Sequence, residues 1–324
     1  MTRTAAIALA LALAWAPALA DDCGYAFLRV GAKARPASMG EAAVALADDP
    51  GVLAYNPGGL ALLRHRAGSA GYLNYVAGVQ IGSLSFVQPL DAQSTAGASL
   101  NYLNSGDIKE TTLDDPTGRG LGSFSFSAAA LGLGYGRLLG PQLSAGAVLR
   151  GIYEKAKEYS SSAIALDLGA VYEIDIDQLA RAAFRAQRQR NYGTSLAAGL
   201  SVQNLGVATK AFVADKERLP LTVRAGLAYR PFLDRLTVAL AGVKPLDAGF
   251  KLQAGAEYWL ASVIALRAGY NGQLAGIQNG SSMDDFAGLG GGLGVRYRGY
   301  SLDAGYTPFP GLGHPLRVDL TVRF

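Results

Sequence analysis

The chain ends with the stretch LRVDLTVRF, residues 316–324, in which an apolar side chain occupies every second position. Successive side chains of a β-strand point to opposite faces, so this stretch predicts a strand with one apolar and one polar face. Residues 300–306, 219–229 and 164–172 show the same alternation. A soluble antiparallel sandwich would also produce it. The spacing and connections of the strands decide between a sandwich and a membrane barrel.

Fourteen strands of this kind are predicted from residue 67 to the end of the chain. Each strand with its connection takes about 18 residues, which suits membrane strands of about ten residues. Tight turns at one end and long connections at the other are typical of outer-membrane barrels. The tight turns fall at 140–141, 231–234, 260–262 and 298–299, and the long connections at 105–122, 204–218 and 274–284. The strands are predicted near 67–77, 79–89, 93–104, 123–137, 142–154, 160–173, 192–203, 219–230, 234–244, 249–259, 262–273, 285–297, 299–307 and 315–324.

Tyrosines at the predicted strand ends support a membrane barrel, because their rings bridge hydrocarbon and wet headgroups. The predicted periplasmic ends hold Tyr135, Tyr172, Tyr192, Tyr229, Tyr258, Tyr297 and Tyr300, and the outer ends hold Tyr102, Tyr153, Tyr270 and Tyr306. The final Phe324 resembles the C-terminal signal that outer-membrane barrels present to their assembly machinery. We therefore predict an all-β fold, a transmembrane antiparallel β-barrel of about 14 strands. Its surroundings would be the lipid and lipopolysaccharide of a bacterial outer membrane.

Composition agrees with this fold and excludes several other classes. Of 324 residues, 50% are hydrophobic and only 17% are charged, and glycine occurs 42 times. Disordered chains are polar and highly charged, so disorder is excluded, and the single Cys23 excludes an intrachain disulfide framework. Lys and Arg are scattered and nearly balanced by Asp and Glu, which argues against a nucleic-acid partner. The long uncharged stretch at 67–90 is interrupted by Asn, Gln, Ser and Gly, which disfavours a membrane helix.

The first 20 residues have the features of a secretory signal peptide. Arg3 precedes an apolar stretch at 7–15, and residues 18–20 form an A-x-A cleavage site. We expect export and a mature chain that begins at Asp21. The predicted organisation is a signal peptide at 1–20, an N-terminal plug at 21–66 and a barrel at 67–324.

The predicted plug lacks strand alternation and contains cap and turn signals. Ser38 and Glu41 form a capping box that predicts a short helix at 42–47. Turns are predicted at 48–51 and 56–59. Fourteen strands enclose more space than their own side chains fill. This small apolar element is therefore predicted to occupy the lumen.

The residues predict no enzyme, no metal site and no cofactor. His65 and His314 lie outside any metal-ligand spacing, and neither is placed as the base of a hydrolase triad. Asp48 and Asp49 fit either a cation site or a turn that ends a helix, and we favour the turn.

Charges of both signs fall on the predicted inward faces of the strands. A selectivity filter more naturally has one sign, so these side chains are expected to solvate and cross-link a wet lumen. They are Arg150, Asp167, Arg224, Lys251, Glu257, Arg267, Arg296, Asp303 and Arg317.

Residues 174–191 break the rule of short periplasmic turns. This alanine-rich stretch contains Arg181, Arg185, Arg188 and Arg190 and predicts a helix of about three turns. A solvated excursion, contact with anionic lipid and docking of a periplasmic partner all remain open as its role.

Two stretches near the N-terminus are similar to the start of PorV-like outer-membrane proteins: FLRVGAKARPASMG at 27–40 and ALADDPGVLAYNPGGLALL at 45–63. Glu41 and Gly58 depart from that pattern, which has a small residue and an alanine there. Downstream, LDLGA (166–170), QNLG (203–206), GAEYWL (255–260) and LRAGY (266–270) extend the resemblance over nearly the whole mature chain. The resemblance implies a FadL-like barrel with an N-terminal hatch. Its hatch motif would comprise Gly31, Met39, Gly40, Asp48, Asp49, Asn56, Pro57 and Gly59.

The resemblance implies two alternative functions. A PorV-like role is a secretion-associated, type IX-like barrel that handles cargo or acts as an adaptor, with secretion-system proteins or secreted cargo as partners. A FadL-like role is passive uptake of a hydrophobic ligand past the hatch. The N-terminal block favours the first role. Neighbouring genes would discriminate between them.

Overall fold

The structure, a computed structural model, describes five stretches of the chain. They are residues 23–175, 195–232, 235–275, 284–309 and 313–324. The predicted signal peptide lies outside them. The predicted basic segment also lies outside them, apart from its first two residues, Ile174 and Asp175.

Within these stretches, fourteen antiparallel strands close into one barrel, which confirms the predicted fold class. Each barrel strand pairs with the next one along the chain, and the last strand pairs with the first. The barrel strands are β1 (Ala67–Asn74), β2 (Gln80–Pro89), β3 (Ser94–Asn104), β6 (Phe126–Leu138), β7 (Leu143–Ala156), β8 (Tyr159–Asp175), β9 (Ser195–Lys210), β10 (Thr222–Phe232), β11 (Leu236–Pro245), β12 (Lys251–Leu260), β13 (Ile264–Asn271), β14 (Leu289–Tyr297), β15 (Tyr300–Tyr306) and β16 (Leu316–Arg323), while β4 (Ile108–Lys109) and β5 (Ser123–Phe124) form a separate two-stranded ribbon.

The alternation places apolar side chains on the outer surface of the barrel. On β16, Leu316 and Leu320 are 49% and 44% exposed, whereas Arg317 and Asp319 on the other face are 4% and 5% exposed. Exposed leucines recur on strand after strand and form an apolar band that suits lipid. The predicted girdle tyrosines of the described residues are exposed on the same outer surface: Tyr102, Tyr135, Tyr153, Tyr172, Tyr229, Tyr258, Tyr270, Tyr297, Tyr300 and Tyr306. Tyr192 lies outside the described residues.

The two ends of the barrel differ in their connections. Ala67 and Arg323 are paired at one end, which we call the proximal end, and Asn74 pairs with Leu316 at the opposite, distal end. Short turns join the described strands at the proximal end, at 90–93, 139–142, 261–263 and 298–299. The long connection at 105–122 lies at the distal end, as predicted, and the one predicted at 274–284 lies largely outside the described residues.

Several predicted strand ends are wrong. The strands predicted at 67–77 and 285–297 span only 67–74 and 289–297, with 3-10 turns at Val76–Gly78 and Asp284–Phe286, and the strand predicted at 123–137 begins at residue 126, after the ribbon strand β5. The largest difference is at β9, which continues to Lys210, so the connection predicted at 204–218 begins only at residue 211. Asn204 has a positive φ of 61°, and the register with β8 shifts beside it. β10 pairs with β9 only as far as Gln203, so residues 205–208 and Lys210 form ladder pairs with β8 alone among the described strands. We call this interruption of the barrel wall the wall notch.

The N-terminal segment, residues 24–63, folds into short helical turns inside the barrel. Helix α1 spans Ala34–Ser38 and helix α2 spans Val52–Tyr55, while 3-10 turns span Ala26–Arg29 and Pro57–Leu62. Helix α1 contacts β13 to β16, whereas the second 3-10 turn contacts β3 and β6 to β9. These strands lie on opposite sides of the barrel, so the segment reaches across the lumen. Among the described residues, no helix has both the length and the apolar composition needed to cross a membrane.

The helix predicted at 42–47 from a capping box is wrong. Ser38 is instead the last residue of α1, and its hydroxyl donates to the Ala34 carbonyl at 2.7 Å. Gly40 and Glu41 follow with φ values of 63° and 66°, a left-handed turn that redirects the chain. Residues 42–46 then join a buried apolar cluster with inward-facing alanine and valine side chains of the wall. Packing against the wall overrides the local helix signal here.

Replacing Leu320 with Arg is expected to impair barrel assembly. Leu320 lies in mid-strand on the outer face, between Ala70 and Leu302. Arginine costs about 2–4 kcal/mol at the bilayer midplane but only about 0–1 kcal/mol near the interface. The matched variant Leu316→Arg, on the same face at the distal end of the strand, should therefore assemble normally. Heat-modifiable gel mobility and urea unfolding in lipid vesicles measure the difference. Equal effects of the two variants would contradict the assigned face and depth.

Candidate functional site: the occupied lumen and the distal cavity

Ion pairs join the N-terminal segment to the inner wall near the proximal end of the barrel. Arg35 on α1 contacts Asp48 Oδ1 at 2.5 Å and Asp49 Oδ2 at 2.9 Å. Its Nε also donates to Glu257 Oε2 on β12 at 2.7 Å. The Arg35 guanidinium therefore links helix α1 both to the turn at 48–51 and to the barrel wall.

Glu257 extends this contact to further charges on the wall. Arg267 Nε donates to Glu257 Oε2 at 2.7 Å, and the Arg267 guanidinium lies 2.7 Å from Asp303. Trp259 Nε1 donates to Glu257 Oε1 at 3.0 Å, and Arg296 stacks 4.1 Å from the centre of the Trp259 ring. Glu257 is 1% exposed, so groups inside the lumen neutralise its charge. We call Arg35, Asp48, Asp49, Glu257, Arg267 and Asp303 the proximal charge cluster.

Asp48 and Asp49 have partners within this chain. Burial alone would raise the pKa of the Asp48 carboxyl, but the Arg35 guanidinium lowers that pKa well below its ordinary value, with help from Arg230 and Arg323. Asp49 Oδ1 accepts from the backbone amide of residue 51 at 2.6 Å, which closes the predicted turn. The two carboxylates thus lie in the predicted turn, although no helix precedes it, and they also make an arginine contact that we did not predict.

A second set of contacts lies on the β1 and β16 side of the lumen. Lys33 Nζ donates to Ser69 Oγ at 3.0 Å and lies 3.5 Å from Asp319 Oδ1. Arg317 Nε donates to the Gly31 carbonyl at 2.8 Å. These side chains are largely buried, so each charge depends on its partner in the segment or the wall.

The opposite wall holds the other half of the segment. Arg150 on β7 donates from Nη2 to the Leu53 carbonyl at 3.0 Å and from Nε to Asp167 Oδ2 at 2.6 Å. Gln203 on β9 donates to the Ala54 carbonyl at 2.6 Å. Helix α2 is therefore bonded through its backbone carbonyls to side chains of the wall.

Glycines of the inner wall let the segment lie directly against strand backbones. A Cβ on Gly255 would lie 2.3 Å from the Met39 carbonyl oxygen, and one on Gly269 would lie 2.1 Å from the Gly40 amide nitrogen. Such distances are shorter than van der Waals contact, so a side chain cannot occupy either position without displacing the segment. On the opposite side of the barrel, a Cβ would also collide with the segment at three wall glycines: Gly146, Gly169 and Gly199.

Asn56 organises the second predicted turn. Its Oδ1 accepts from the Gly58 amide at 3.0 Å, while its Nδ2 donates to the carbonyls of Val44 and Ala170 at 2.7 Å and 3.0 Å. Gly58 is one of the two positions that depart from the PorV-like pattern. A Cβ there would lie 2.6 Å from Ala170 Cα on β8, so this departure permits a closer approach of segment and wall.

The residues singled out in the sequence fall into two groups, the hatch motif and the lumen charges. The eight residues of the hatch motif all lie in the segment that contacts the wall. All nine predicted lumen charges occupy inward-facing positions of their strands, and most of them bond to the segment or to one another. Arg224, which donates to Gln203 at 2.7 Å, and Lys251 also line the distal cavity described below.

Sequence reasoning missed several residues that make these contacts. Lys33, Arg35, Asp319 and Gln203 were not proposed as site residues. A signal was available for the first two, because a lysine and an arginine in an otherwise apolar segment need partners when that segment is buried. Asp319 shares the inward face of β16 with Arg317, so the strand alternation itself marks it.

A cavity of about 850 Å³ lies between the N-terminal segment and the distal connections. Its volume falls in the range of small-molecule sites, about 300–1,000 Å³. Tyr25 at its wall bonds through its hydroxyl to Ser161 Oγ at 2.5 Å and to the Ser162 carbonyl at 3.1 Å. Apolar residues dominate its lining, among them Tyr25, Phe27, Val30, Tyr75, Leu103 and Phe126. We call this space the distal cavity.

A second apolar pocket of about 410 Å³ lies at the wall notch. Residues 204–208 of β9 and 216–219 of the following connection line it. Cys23 and Glu217 line both this pocket and the distal cavity. The notch therefore adjoins the distal cavity through shared residues.

The histidines lie at opposite ends of the barrel. His65 is exposed just before β1, and His314, exposed before β16, has its Nδ1 2.7 Å from the Tyr306 hydroxyl. Within the described ranges, no group of three or more His, Cys, Asp or Glu side chains is arranged to hold a metal ion.

The closed barrel, its outer apolar band and its occupied lumen define an outer-membrane β-barrel with an internal N-terminal segment. A family model described as the type IX secretion system protein PorV matches residues 20–241, and the chain belongs to that family. This confirms the resemblance found in the sequence. No curated protein matches the chain in sequence.

Solved structures with the same fold include proteins described as hydrocarbon transporters. The Ralstonia pickettii toluene transporter TbuX is 11% identical with a TM-score of 0.59, over 91% of this chain and 98% of that chain. The Pseudomonas putida toluene transporter TodX is 12% identical with a TM-score of 0.57, over 90% and 97%. The monoaromatic hydrocarbon channel CymD is 15% identical with a TM-score of 0.55, over 91% and 98%. At sequence identities of 11–15%, the similarity to these structures establishes a shared fold only.

Removing the charge of Glu257 is expected to destabilise the protein strongly. Glu257→Gln leaves Arg35 and Arg267 facing a neutral amide, and removing one partner of a buried ion pair costs about 3–5 kcal/mol. The matched control Glu110→Gln removes a more exposed pair with Lys157, 2.8 Å apart, which is worth about 0–1 kcal/mol. Urea unfolding of protein in lipid vesicles should separate the two midpoints clearly. Coincident midpoints would show that the proximal charge cluster does not hold the fold together.

Proposed function

We propose that this protein is a secretion-associated outer-membrane barrel that handles cargo or acts as an adaptor in a type IX-like system. Membership of the PorV family supports this role. The observation that carries it is the occupied lumen, which is fastened on opposite walls through Arg35 and Arg150. A barrel fastened in this way leaves its outer surface and distal connections for binding secretion-system proteins or secreted cargo.

Insertion of the barrel involves further partners. Phe324 ends the chain beside β16 and is 73% exposed. We propose that the barrel-assembly machinery recognises this residue together with the alternating apolar side chains before it. Lipopolysaccharide and outer-membrane lipid then cover the apolar band.

We further propose that the N-terminal segment is a plug that limits passage through the barrel. Full-length protein should pass little steady current in planar bilayers, and deletion of residues 24–60 should leave a heat-modifiable barrel with higher conductance. In a Cys23→Ser background, Val52→Cys, at a position 4% exposed, should resist a bulky hydrophilic thiol reagent. Leu113→Cys, at a fully exposed position, is the matched control and should react rapidly. Equal conductance with and without the segment would refute the plug and leave the barrel intact.

A second candidate function is passive passage of a hydrophobic small molecule. The distal cavity and the adjoining pocket at the wall notch favour it, because both are lined mainly by apolar side chains. The described functions of TbuX, TodX and CymD, which share the fold, also fit this candidate.

Deletion of the gene in its native host separates the two candidates. A secretion role predicts that type IX cargo accumulates in the periplasm, while uptake of radiolabelled toluene stays unchanged. Complementation with the wild-type gene should restore surface display of the cargo. Normal cargo display with reduced toluene uptake would overturn the secretion role and support the second candidate.

A further inference from the structure

One buried carboxylate at the distal cavity has no partner. Glu154, near the distal end of β7, is 3% exposed and lines the cavity. Within the described part of the chain, no hydrogen bond and no ion pair reaches its side chain. This distinguishes it from Asp167, Glu257 and Asp303, which are buried carboxylates paired with arginines.

The hydroxyl groups beside Glu154 are engaged elsewhere. Ser161 is its partner across the β7–β8 ladder and donates to the Lys210 carbonyl at 2.8 Å. Tyr25 bonds to Ser161 and to the Ser162 carbonyl. The neighbouring buried side chains belong to an apolar cluster, so they offer no counter-charge.

The other charges of the cavity do not neutralise Glu154. Glu217 also lines the cavity, and because its carboxylate has the same charge as Glu154, the two groups repel each other. Lys251 projects from β12, five strands away around the barrel. The remaining cations of the lining already have protein partners; they are Arg29, Arg224 and Arg317.

We propose that the distal cavity binds a small amphipathic amine, whose apolar body fills the cavity and whose ammonium group pairs with Glu154. A buried charge is stable when it is paired and hydrogen-bonded, and an ammonium group supplies both. The apolar lining supplies the hydrophobic contribution, and the volume suits a small molecule. This site goes beyond the secretion role and does not depend on it, because binding is measured on the purified protein.

The test uses three probes with the same alkyl chain: octylamine, octanol and octanoate. Full-length protein in lipid nanodiscs is titrated calorimetrically, and empty nanodiscs correct for partition into lipid. Octylamine should bind about tenfold more tightly than octanol, and octanoate should bind more weakly than octanol, since Glu154 attracts a cation and repels an anion. Glu154→Gln should reduce the affinity for octylamine to that for octanol and leave octanol binding unchanged.

Two controls isolate the charge. Glu154→Asp keeps the carboxylate and should keep the preference for the amine. Asp114→Asn removes an exposed carboxylate from a distal connection, and this variant should also retain the preference for octylamine. If Glu154→Gln does not assemble, Glu217→Gln tests the negative electrostatic potential of the same cavity. This variant should lower octylamine affinity about two- to threefold. Octanoate binding as tight as octylamine binding, an unchanged preference in Glu154→Gln, or no saturable binding of any probe would overturn the proposal.

Discussion

The interior of a fourteen-stranded barrel is too wide for the side chains of its own wall to fill. Here the N-terminal segment packs against a glycine-lined wall and occupies part of that space. Met39 lies against Gly255 and Gly269, where even a methyl group would displace it. Glycine ordinarily weakens a strand, because it adds backbone entropy and leaves nothing to pack. Close packing with the segment offsets that cost, which accounts for glycine at inward positions of so many strands.

Charges then decide where the segment lies. Apolar contact is non-directional, whereas the bonds of Arg35 to Asp48, Asp49 and Glu257 fix one arrangement. The proximal charge cluster sits near the end where the strands are joined by short turns, and the distal cavity lies among the longer connections. The segment is therefore bonded to the wall near the proximal end, while the distal cavity lies on the side of the longer connections.

The strands were predictable because side-chain alternation is a local consequence of strand geometry, and lipid on the outside makes it visible. The failures have physical causes. At residues 203–204, two successive polar side chains are buried at a bulge, which hides the continuation of β9. At 42–47 the wall overrides a helix signal. Arg35 and Glu257 form an ion pair although they are 222 positions apart in the sequence. Strand alternation and turn signals describe only neighbouring residues, so they cannot predict such a contact. Asp48 and Asp49 could thus be recognised as a turn but not as partners of an arginine.

The two candidate functions make different demands on the same contacts. If the segment is the plug that we propose, passage of a solute through the lumen requires the segment to leave the wall. This breaks the contacts of Arg35 and Arg150 together with the packing on glycine. The distal cavity lies between the segment and the distal connections, and it adjoins the pocket at the wall notch. The proposed secretion role does not require these contacts to break, because its partners would bind to the outer surface and the distal connections. The two candidates therefore differ physically in one contact: an adaptor keeps the Arg35–Glu257 ion pair, whereas a channel through the lumen breaks it.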